Sequence, residues 1–250
     1  MRPASVGFQC PECVSAGAKT VRQGRTVFGG HVSGDTSRVS LAIVAINVAI
    51  YVLGLLSGRD LALDFGNLPG PVLVSGDLAG VSTGQYYRLI TAAFLHAGVL
   101  HLAMNMFALA QLGPMLESAL GRVRFLALYV LSALGGSTLS YCVSDQGSLG
   151  VGASGAIFGL FGAYYVVVRR LGGPTRSILT LLVVNLVITF TIPIIDWRAH
   201  LGGLITGALV GAALAYAPRG ERRDRLQTAA CAGVAVVLAV AVVLRTAAIS

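Results

Sequence analysis

The sequence has little charge for its length. Lysine, arginine, aspartate and glutamate make up only 11% of the 250 residues, whereas 55% of the residues are hydrophobic. A soluble domain carries about a quarter charged residues to cover its surface. Because this chain has less than half of that share and a mean hydropathy of +0.79, most of its surface faces something other than water. The apolar runs are long enough to cross a bilayer, which predicts an all-α polytopic membrane protein.

Acidic residues are scarcer than basic ones. Ten Asp and Glu stand against 18 Lys and Arg, which gives a formal net charge of +8. In a soluble chain this balance would indicate nucleic-acid binding. Here the arginines lie in short loops between apolar runs, as membrane topology signals do, so we expect no nucleic-acid partner. The apolar runs also lack a carboxylate for ion coupling, which argues against a transporter.

We expect seven transmembrane helices, namely a six-helix core and a seventh helix at the C-terminal end, and no cleavable signal peptide. The expected ranges are 39–56, 89–112, 123–143, 151–168, 178–195, 199–216 and 228–244. The segment 57–87 is too apolar for a free linker. We therefore expect it to pack on or partly in the outer leaflet, with a short interfacial helix.

Lysine and arginine divide unevenly between the two sets of connecting segments. The richer set holds Lys19, Arg22, Arg25, Arg38, Arg122, Arg124, Arg169, Arg170, Arg176, Arg219, Arg222, Arg223 and Arg225. The other set holds only Arg59, Arg88, Arg198 and Arg245. By the positive-inside rule the richer set is cytoplasmic, so we expect a cytoplasmic N-terminus and an extracytoplasmic C-terminus in the cell membrane.

This topology brings unusual polar residues from three distant segments to one depth. His96 and His101 lie in the first half of the second expected helix, Ser154 at the start of the fourth and His200 at the start of the sixth. All three helices begin at the outer side. We therefore expect a site that opens to the extracytoplasmic side.

A motif of small residues, Gly152-Ala153-Ser154-Gly155, opens the fourth expected helix. A helix N-terminus presents unpaired backbone N–H groups and a positive dipole end, which suit the stabilisation of an oxyanion. The small neighbours leave room for a substrate backbone. Taken alone, however, the motif is better explained as a packing face that continues through Gly159.

His200 opens the sixth expected helix. A histidine in a membrane span is costly, and a neutral imidazole can act as a base near pH 7. Gly203, Gly207 and Gly211 recur every four residues and form a stripe that can meet the small residues of the fourth helix at close range. Because this packing brings Ser154 and His200 together, we favour a nucleophile and its base over a structural histidine bonded to a loop carbonyl.

His96, His101 and Asn105 lie on the second expected helix. His101 and Asn105 are four residues apart and share a helix face, and both carry N–H donors suited to a developing oxyanion. The alternative is a metal site of two histidines and a carboxylate. It is disfavoured because the histidines are five residues apart, no acidic residue accompanies them and the His-Glu-x-x-His pattern is absent. We expect no metal and no cofactor.

These motifs resemble, in order and spacing, those of the rhomboid intramembrane serine proteases over residues 39–216. Tyr87-Arg88 before the second helix, and Gly113 and Glu117 after it, add to the resemblance. The resemblance implies an endopeptidase that cuts transmembrane proteins in or near their membrane segments. The alternative is a catalytically silent rhomboid-like protein that binds transmembrane helices.

The resemblance also implies a role for each motif. Ser154 is the expected nucleophile and His200 its general base, without an acidic third member. The oxyanion hole is expected to combine the Ser154 backbone N–H with His101 and Asn105. Supporting roles are expected for His96, Gly152 and Gly155, and helix packing for Gly159, Gly203 and Gly207.

Two further residues flank the expected dyad. Many family members carry a tyrosine beneath the histidine ring, four residues after the serine. Here the residue is Phe158, which can still pack there but lacks the hydroxyl. Asp196, four residues before His200, is a weaker candidate for orienting the imidazole.

Cys10 and Cys13 have the spacing of metal ligands and lie on the reducing side, where zinc is more plausible than a disulfide. His31 is the only other ligand type expected nearby, so we expect no tight zinc site. Some bacterial relatives carry a longer Cys- and His-rich cytoplasmic module, whose tail this segment resembles. If the natural start lies upstream of Met1, the added residues should carry further Cys and His.

We expect three regions along the chain. Residues 1–38 form a cytoplasmic segment, residues 39–216 form the membrane domain, and residues 217–250 form a linker with the C-terminal helix.

Overall fold

A computed structural model describes residues 2–3, 7–20, 24–32, 37–74 and 76–249. Met1 and Arg22, used in the predictions above, lie outside the described residues. The α-helices of the described part are α1 (Pro11–Thr20), α2 (Arg38–Ser57), α3 (Leu61–Phe65), α4 (Arg88–Thr91), α5 (Val99–Leu120), α6 (Arg122–Val143), α7 (Ser154–Arg170), α8 (Arg176–Thr191), α9 (Trp197–Tyr216) and α10 (Arg223–Ile249). Two antiparallel hairpins pair β1 (Arg2–Pro3) with β2 (Phe8–Gln9) and β3 (Val72–Val74) with β4 (Asp77–Ala79).

The long helices confirm the predicted all-α polytopic membrane class. Five of them, α2, α5, α6, α9 and α10, are long and apolar enough to cross a membrane. The two others that correspond to predicted spans are shorter, with 17 residues in α7 and 16 in α8. At 1.5 Å per residue, each of these measures roughly 25 Å.

The predicted second span, 89–112, is wrong at both ends. The chain forms α4 and a 3₁₀ turn at Ala92–Phe94, and α5 begins only at Val99. The segment between them is not helical, and Leu95 has an extended backbone. His96 therefore precedes the helix rather than lying on it.

The same helix continues past the Gly113-Pro114 pair, where the prediction ended it. Pro114 lies inside α5. A proline inside a helix removes one backbone hydrogen bond, but packing can outweigh that loss. Leu116 and Leu120 are fully buried after the proline, and the buried Glu117 accepts hydrogen bonds from the backbone N–H groups of Val39 and Ser40. Gly113 and Glu117 thus lie within the helix, not after it.

The predicted fifth span, 178–195, extends too far. Helix α8 ends at Thr191, and Ile192 adopts an extended backbone. The next residue is Pro193, whose ring disfavours helical geometry in the preceding residue. A proline signal in the sequence therefore explains the end of this helix.

Helices α6, α7 and α9 form the most closely packed part of the fold. A Cβ atom at Gly203 or Gly207 of α9 would collide with the carbonyl oxygen of Gly155 or Gly159 of α7, respectively. On α6, a Cβ at Gly136 would lie 2.7 Å from the Ala199 carbonyl oxygen. Glycine removes the side chains that would keep these backbones apart, as is typical of membrane helix contacts.

The basic residues of three predicted cytoplasmic segments meet at one end of this bundle. Asp224 of α10 forms ion pairs with Arg25 at 2.9 Å and with Arg124 at 2.8 Å. Gln227 donates to the carbonyl oxygen of Phe28, which is buried. Residues 24–32 therefore pack against α6 and α10 rather than standing apart from the helices.

One buried arginine, Arg88, holds part of the long segment after α2 through hydrogen bonds. The predicted short helix is present as α3. Arg88 is only 2% exposed, and its guanidinium donates to the carbonyl oxygens of Leu63 and Gly66. The β3–β4 hairpin exposes the apolar side chains of Leu73 and Leu78.

Candidate active site

Ser154 is the first residue of α7, at the end of the bundle opposite the arginine-rich segments. Its N-cap residue, Ala153, has no side chain that can bond to the first-turn N–H groups. Among the backbone hydrogen bonds of the described residues outside helices, none comes from the Ser154 N–H. The start of α7 therefore offers unpaired donors beside the half-buried Ser154 side chain.

Gly152 lies between Ser154 and the imidazole of His101. A Cβ atom at Gly152 would approach His101 Nε2 to 2.9 Å and Ser154 Oγ to 3.5 Å, so both atoms border the same small space. Gly152 also has a φ of +135°, which side-chain-bearing residues rarely adopt. Its N–H donates to the carbonyl oxygen of Ala92 at 2.9 Å. Gly152 can therefore shape the site, but its own N–H is already used.

Asn105 lies one turn after His101, as the sequence spacing predicted. Its side chain is 6% exposed, and Nδ2 donates to the carbonyl oxygen of His101 at 2.8 Å. This bond uses one of the two N–H groups of the amide and leaves the other for a second acceptor. Asn105 thus has one donor that the helix does not consume.

His96 comes close to this group although it is not on α5. Its ring lies edge-on to the His101 ring, with 5.1 Å between centroids. Within the described residues both ring nitrogens are buried without a well-formed hydrogen bond, although the Phe94 backbone lies near enough to interact with the ring. The prediction that His96 lies on the same helix as His101 was therefore wrong, because the loop before Val99 carries His96.

His200 is buried near the start of α9 and stacks on Phe158 of α7. The ring centroids are 4.0 Å apart and the planes differ by 17°. The prediction that Phe158 packs against this ring is confirmed. The stack fixes the plane of the imidazole, while the choice between the two flipped orientations of the ring in that plane depends on the hydrogen bonds of its nitrogens.

The polar partner of His200 is a residue that the sequence reading missed. His200 Nδ1 lies 2.7 Å from the hydroxyl oxygen of Thr189, a buried residue of α8. A polar residue in an apolar helix, four positions after Asn185, was the available signal. Its burial and its direction toward α9 depend on tertiary packing, which the sequence pattern does not contain.

Asp196 does not contact the His200 ring, so the weaker candidate for orienting it was wrong. One carboxylate oxygen caps α9 by accepting from the N–H groups of Arg198 and Ala199. The other accepts a hydrogen bond from the Ser140 hydroxyl at 2.5 Å. Because the carboxylate is engaged in this way, its position at the helix start is explained by capping.

Ser154 and His200 are carried by backbones that touch. The residue after Ser154 is Gly155, and a Cβ there would lie 3.2 Å from the carbonyl oxygen of Ala199, the residue before His200. The hydrogen bonds of the described residues include none between Ser154 and His200 themselves. Such bonds are often long in unliganded sites and shorten when a substrate binds.

Metal ligands are not grouped in the part of the chain that the structure describes. It contains no cluster of three or more His, Cys, Asp or Glu side chains. Cys10 and Cys13 have sulfur atoms 2.9 Å apart, and hydrogen bonding from the Cys13 thiol and backbone lowers the pKa of the Cys10 thiol. The expectation of no tight zinc at these cysteines stays a prediction.

The fold and the site together define a helical membrane protein with a serine, three histidines and an asparagine gathered at one end of a glycine-packed bundle. Residues 83–217 match the family model described as "Rhomboid domain". Since this match covers more than half of the chain, the protein belongs to the rhomboid family. The resemblance read from the motifs is confirmed.

Several curated proteins are similar to this chain. It is 41% identical over 142 residues to "Putative rhomboid protease YdcA" of Bacillus subtilis, an alignment that covers 55% of this chain and 71% of that protein. It is 38% identical over 147 residues to "RHOMBOID-like protein 5" of Arabidopsis thaliana, an alignment that covers 56% of this chain and 47% of that protein. It is 36% identical over 157 residues to "Rhomboid protease GluP" of Bacillus subtilis, an alignment that covers 60% of this chain and 30% of that protein. The alignments thus span less than half of two of these relatives.

Proposed function

We propose that the protein is an intramembrane serine endopeptidase that uses Ser154 as nucleophile and His200 as general base. His200 takes the hydroxyl proton as Ser154 Oγ attacks the scissile carbonyl carbon, and returns it to the leaving amine. Water, activated by the same histidine, then hydrolyses the acyl-enzyme ester. The Ser154 backbone N–H, His101 and the free N–H of Asn105 are the proposed donors to the oxyanion.

One observation carries this proposal. The backbones beside Ser154 and His200 are in contact at Gly155 and Ala199, and His101 borders the same space as Ser154 Oγ. A nucleophile, an imidazole base and oxyanion donors are the parts that acyl transfer requires. A merely structural histidine would not need a serine at an uncapped helix start beside it.

The proposed substrates are membrane proteins with a transmembrane segment that is cut in or near the membrane. A helical substrate hides its backbone carbonyls in its own hydrogen bonds, so residues that weaken helices near the cut should favour cleavage. We further propose that the site opens to the extracytoplasmic side. The meeting of Arg25 and Arg124 at the opposite end of the bundle supports this orientation.

The test is covalent labelling of the purified protein in detergent with a fluorophosphonate probe, followed by mass spectrometry of the labelled peptide. The proposal predicts labelling at Ser154, its loss in Ser154→Ala, and strong reduction in His200→Ala. The same preparations are assayed for cleavage of a model transmembrane substrate. Absence of labelling and cleavage in the folded protein, together with retained binding of the substrate helix, would instead support the catalytically silent alternative.

A further inference from the structure

Helix α8 contributes little buried surface, yet one of its buried residues contacts His200. Within the described residues, α8 buries only Ile178 near its start and Thr189 near its end. Two of its apolar side chains, Val183 and Val187, are each 56% exposed. A buried hydroxyl on such a helix needs hydrogen-bond partners, because an unpaired one would be costly in an apolar environment.

The two short contacts of the Thr189 hydroxyl bear on which atoms carry protons. Its Oγ1 lies 2.7 Å from the carbonyl oxygen of Asn185, one turn earlier, and 2.7 Å from His200 Nδ1. A carbonyl oxygen can only accept, so both contacts are hydrogen bonds only when the single hydroxyl proton is donated to Asn185. Oγ1 is then left as an acceptor toward the ring, and Nδ1 must carry the imidazole proton.

We propose that Thr189 is a positioning residue that holds neutral His200 in the tautomer protonated at Nδ1. This leaves Nε2 unprotonated and able to accept a proton. The inference rests on the proposed function, in which His200 takes the proton of Ser154. In hydrolases with a triad, a carboxylate holds the tautomer and orientation of the base. Here a hydroxyl relay from His200 through Thr189 to the Asn185 carbonyl does so without a buried charge.

The position of Asp196 supports this division of roles. Its carboxylate is bonded to the α9 N-terminus and to Ser140, so the nearest acidic residue in the sequence does not reach the ring. The Phe158 stack restrains the ring plane but offers no hydrogen bond. Thr189 is therefore the group that distinguishes the two ring nitrogens.

The test combines Thr189→Val, Thr189→Ser and a matched control, Thr191→Val. Thr191 is on the same helix, is exposed, and its hydroxyl also donates to the carbonyl oxygen four residues earlier, at Val187. The full chain is purified in detergent, and cleavage of a model transmembrane substrate is measured. Turnover should fall roughly ten-fold in Thr189→Val, as expected for the loss of one neutral hydrogen bond. Thr189→Ser should recover most of that loss, and Thr191→Val should match the unmodified protein.

A second readout reports the tautomer directly. The chain contains four histidines, so nitrogen-15 NMR of histidine-labelled protein resolves few signals, and His200→Ala identifies the one sought. The unmodified protein should show His200 protonated at Nδ1, with a shift toward the other tautomer in Thr189→Val. Protonation at Nε2 in the unmodified protein would overturn the inference even if every variant failed to fold.

The remaining outcomes separate this inference from the proposed function. Equal losses in Thr189→Val and Thr189→Ser would indicate a packing role and overturn the inference. Unchanged turnover in Thr189→Val would also overturn the inference about Thr189. If Ser154 in that variant is still labelled by the probe, the proposed dyad is retained. Full cleavage by Ser154→Ala would instead remove the proposed function itself.

Discussion

Helix α9 carries the His200 imidazole and helix α8 contacts it, but the two helices are held in place by different interactions. Helix α9 buries nine residues, and its glycines lie against the backbone of α7. Helix α8 buries two residues, one of which is bonded to His200. In a bilayer, where apolar side chains gain little by leaving lipid, backbone contact and polar bonds are the forces that order helices. Under the proposed function, α9 thus holds the proposed base by close packing, and α8 holds its proposed tautomer through one hydrogen bond.

The largest expected effect comes from removing the side chains of the proposed dyad, Ser154 and His200. Ser154→Ala and His200→Ala should each reduce cleavage of a model transmembrane substrate by roughly 10⁴-fold or more. Detergent-solubilised Ser154→Ala should retain its thermal unfolding midpoint. His200→Ala also loses the stack on Phe158 of α7, so its midpoint should fall modestly while the protein stays folded. Measurable cleavage near the unmodified rate in either variant would contradict the dyad.

A bulky residue in the glycine contact should separate the two helices. Gly203→Leu or Gly207→Leu would place a side chain against the α7 backbone, and overpacking typically costs about 1–3 kcal/mol or more. We expect a lower unfolding midpoint and loss of cleavage. Val187→Leu on the exposed face of α8 is the matched control, and it should change neither quantity. Equal tolerance on both helices would show that the glycine contact is not needed.

Asn105→Ala tests the oxyanion donors without disturbing either helix contact. The variant should turn over substrate about 10²–10³-fold more slowly, the usual cost of one lost oxyanion donor. Probe labelling of Ser154 should remain detectable, because the proposed nucleophile and base are intact. The measurement compares the rate of substrate turnover with the rate of probe labelling in one preparation. An unchanged turnover rate would exclude Asn105 from the oxyanion hole.

The smallest expected effect concerns the stack beneath His200. Phe158→Leu keeps an apolar side chain but removes the ring contact, and an aromatic pair is worth about 0.5–1.5 kcal/mol. We expect Phe158→Leu to lower the turnover of the same substrate several-fold. Phe158→Tyr should lower the turnover less, because it keeps an aromatic ring. If Leu and Tyr behave alike, the stack does not help to orient the base.

The sequence predicted the fold class and the groups at the site because both depend on features visible along one chain. Apolar runs of bilayer length define the helices, and the alternation of basic loops brings Ser154 and His200 to one end. The four-residue spacing of Gly203 and Gly207 predicted the close contact. These inferences need only periodicity and topology.

The predictions failed where tertiary contacts decide the outcome. The Gly113-Pro114 pair is a local signal for a helix end, but burial of Leu116 and Leu120 carries α5 past it. Asp196 stands one turn before His200, yet helix capping takes its carboxylate. Thr189 was overlooked because nothing along the chain shows which side of α8 is buried.

The contact of residues 24–32 with α10 has a consequence for deletions at the N-terminal end. Phe28 is covered by the helices, and Arg25 and Arg124 share the carboxylate of Asp224. A deletion through residue 23 removes the Cys10–Cys13 pair and keeps all of these contacts. A deletion through residue 36 also exposes the apolar surface beneath Phe28 and leaves Asp224 with one arginine. Comparing the two deletion variants separates any role of the two cysteines from the contribution of residues 24–32 to holding α10 in place.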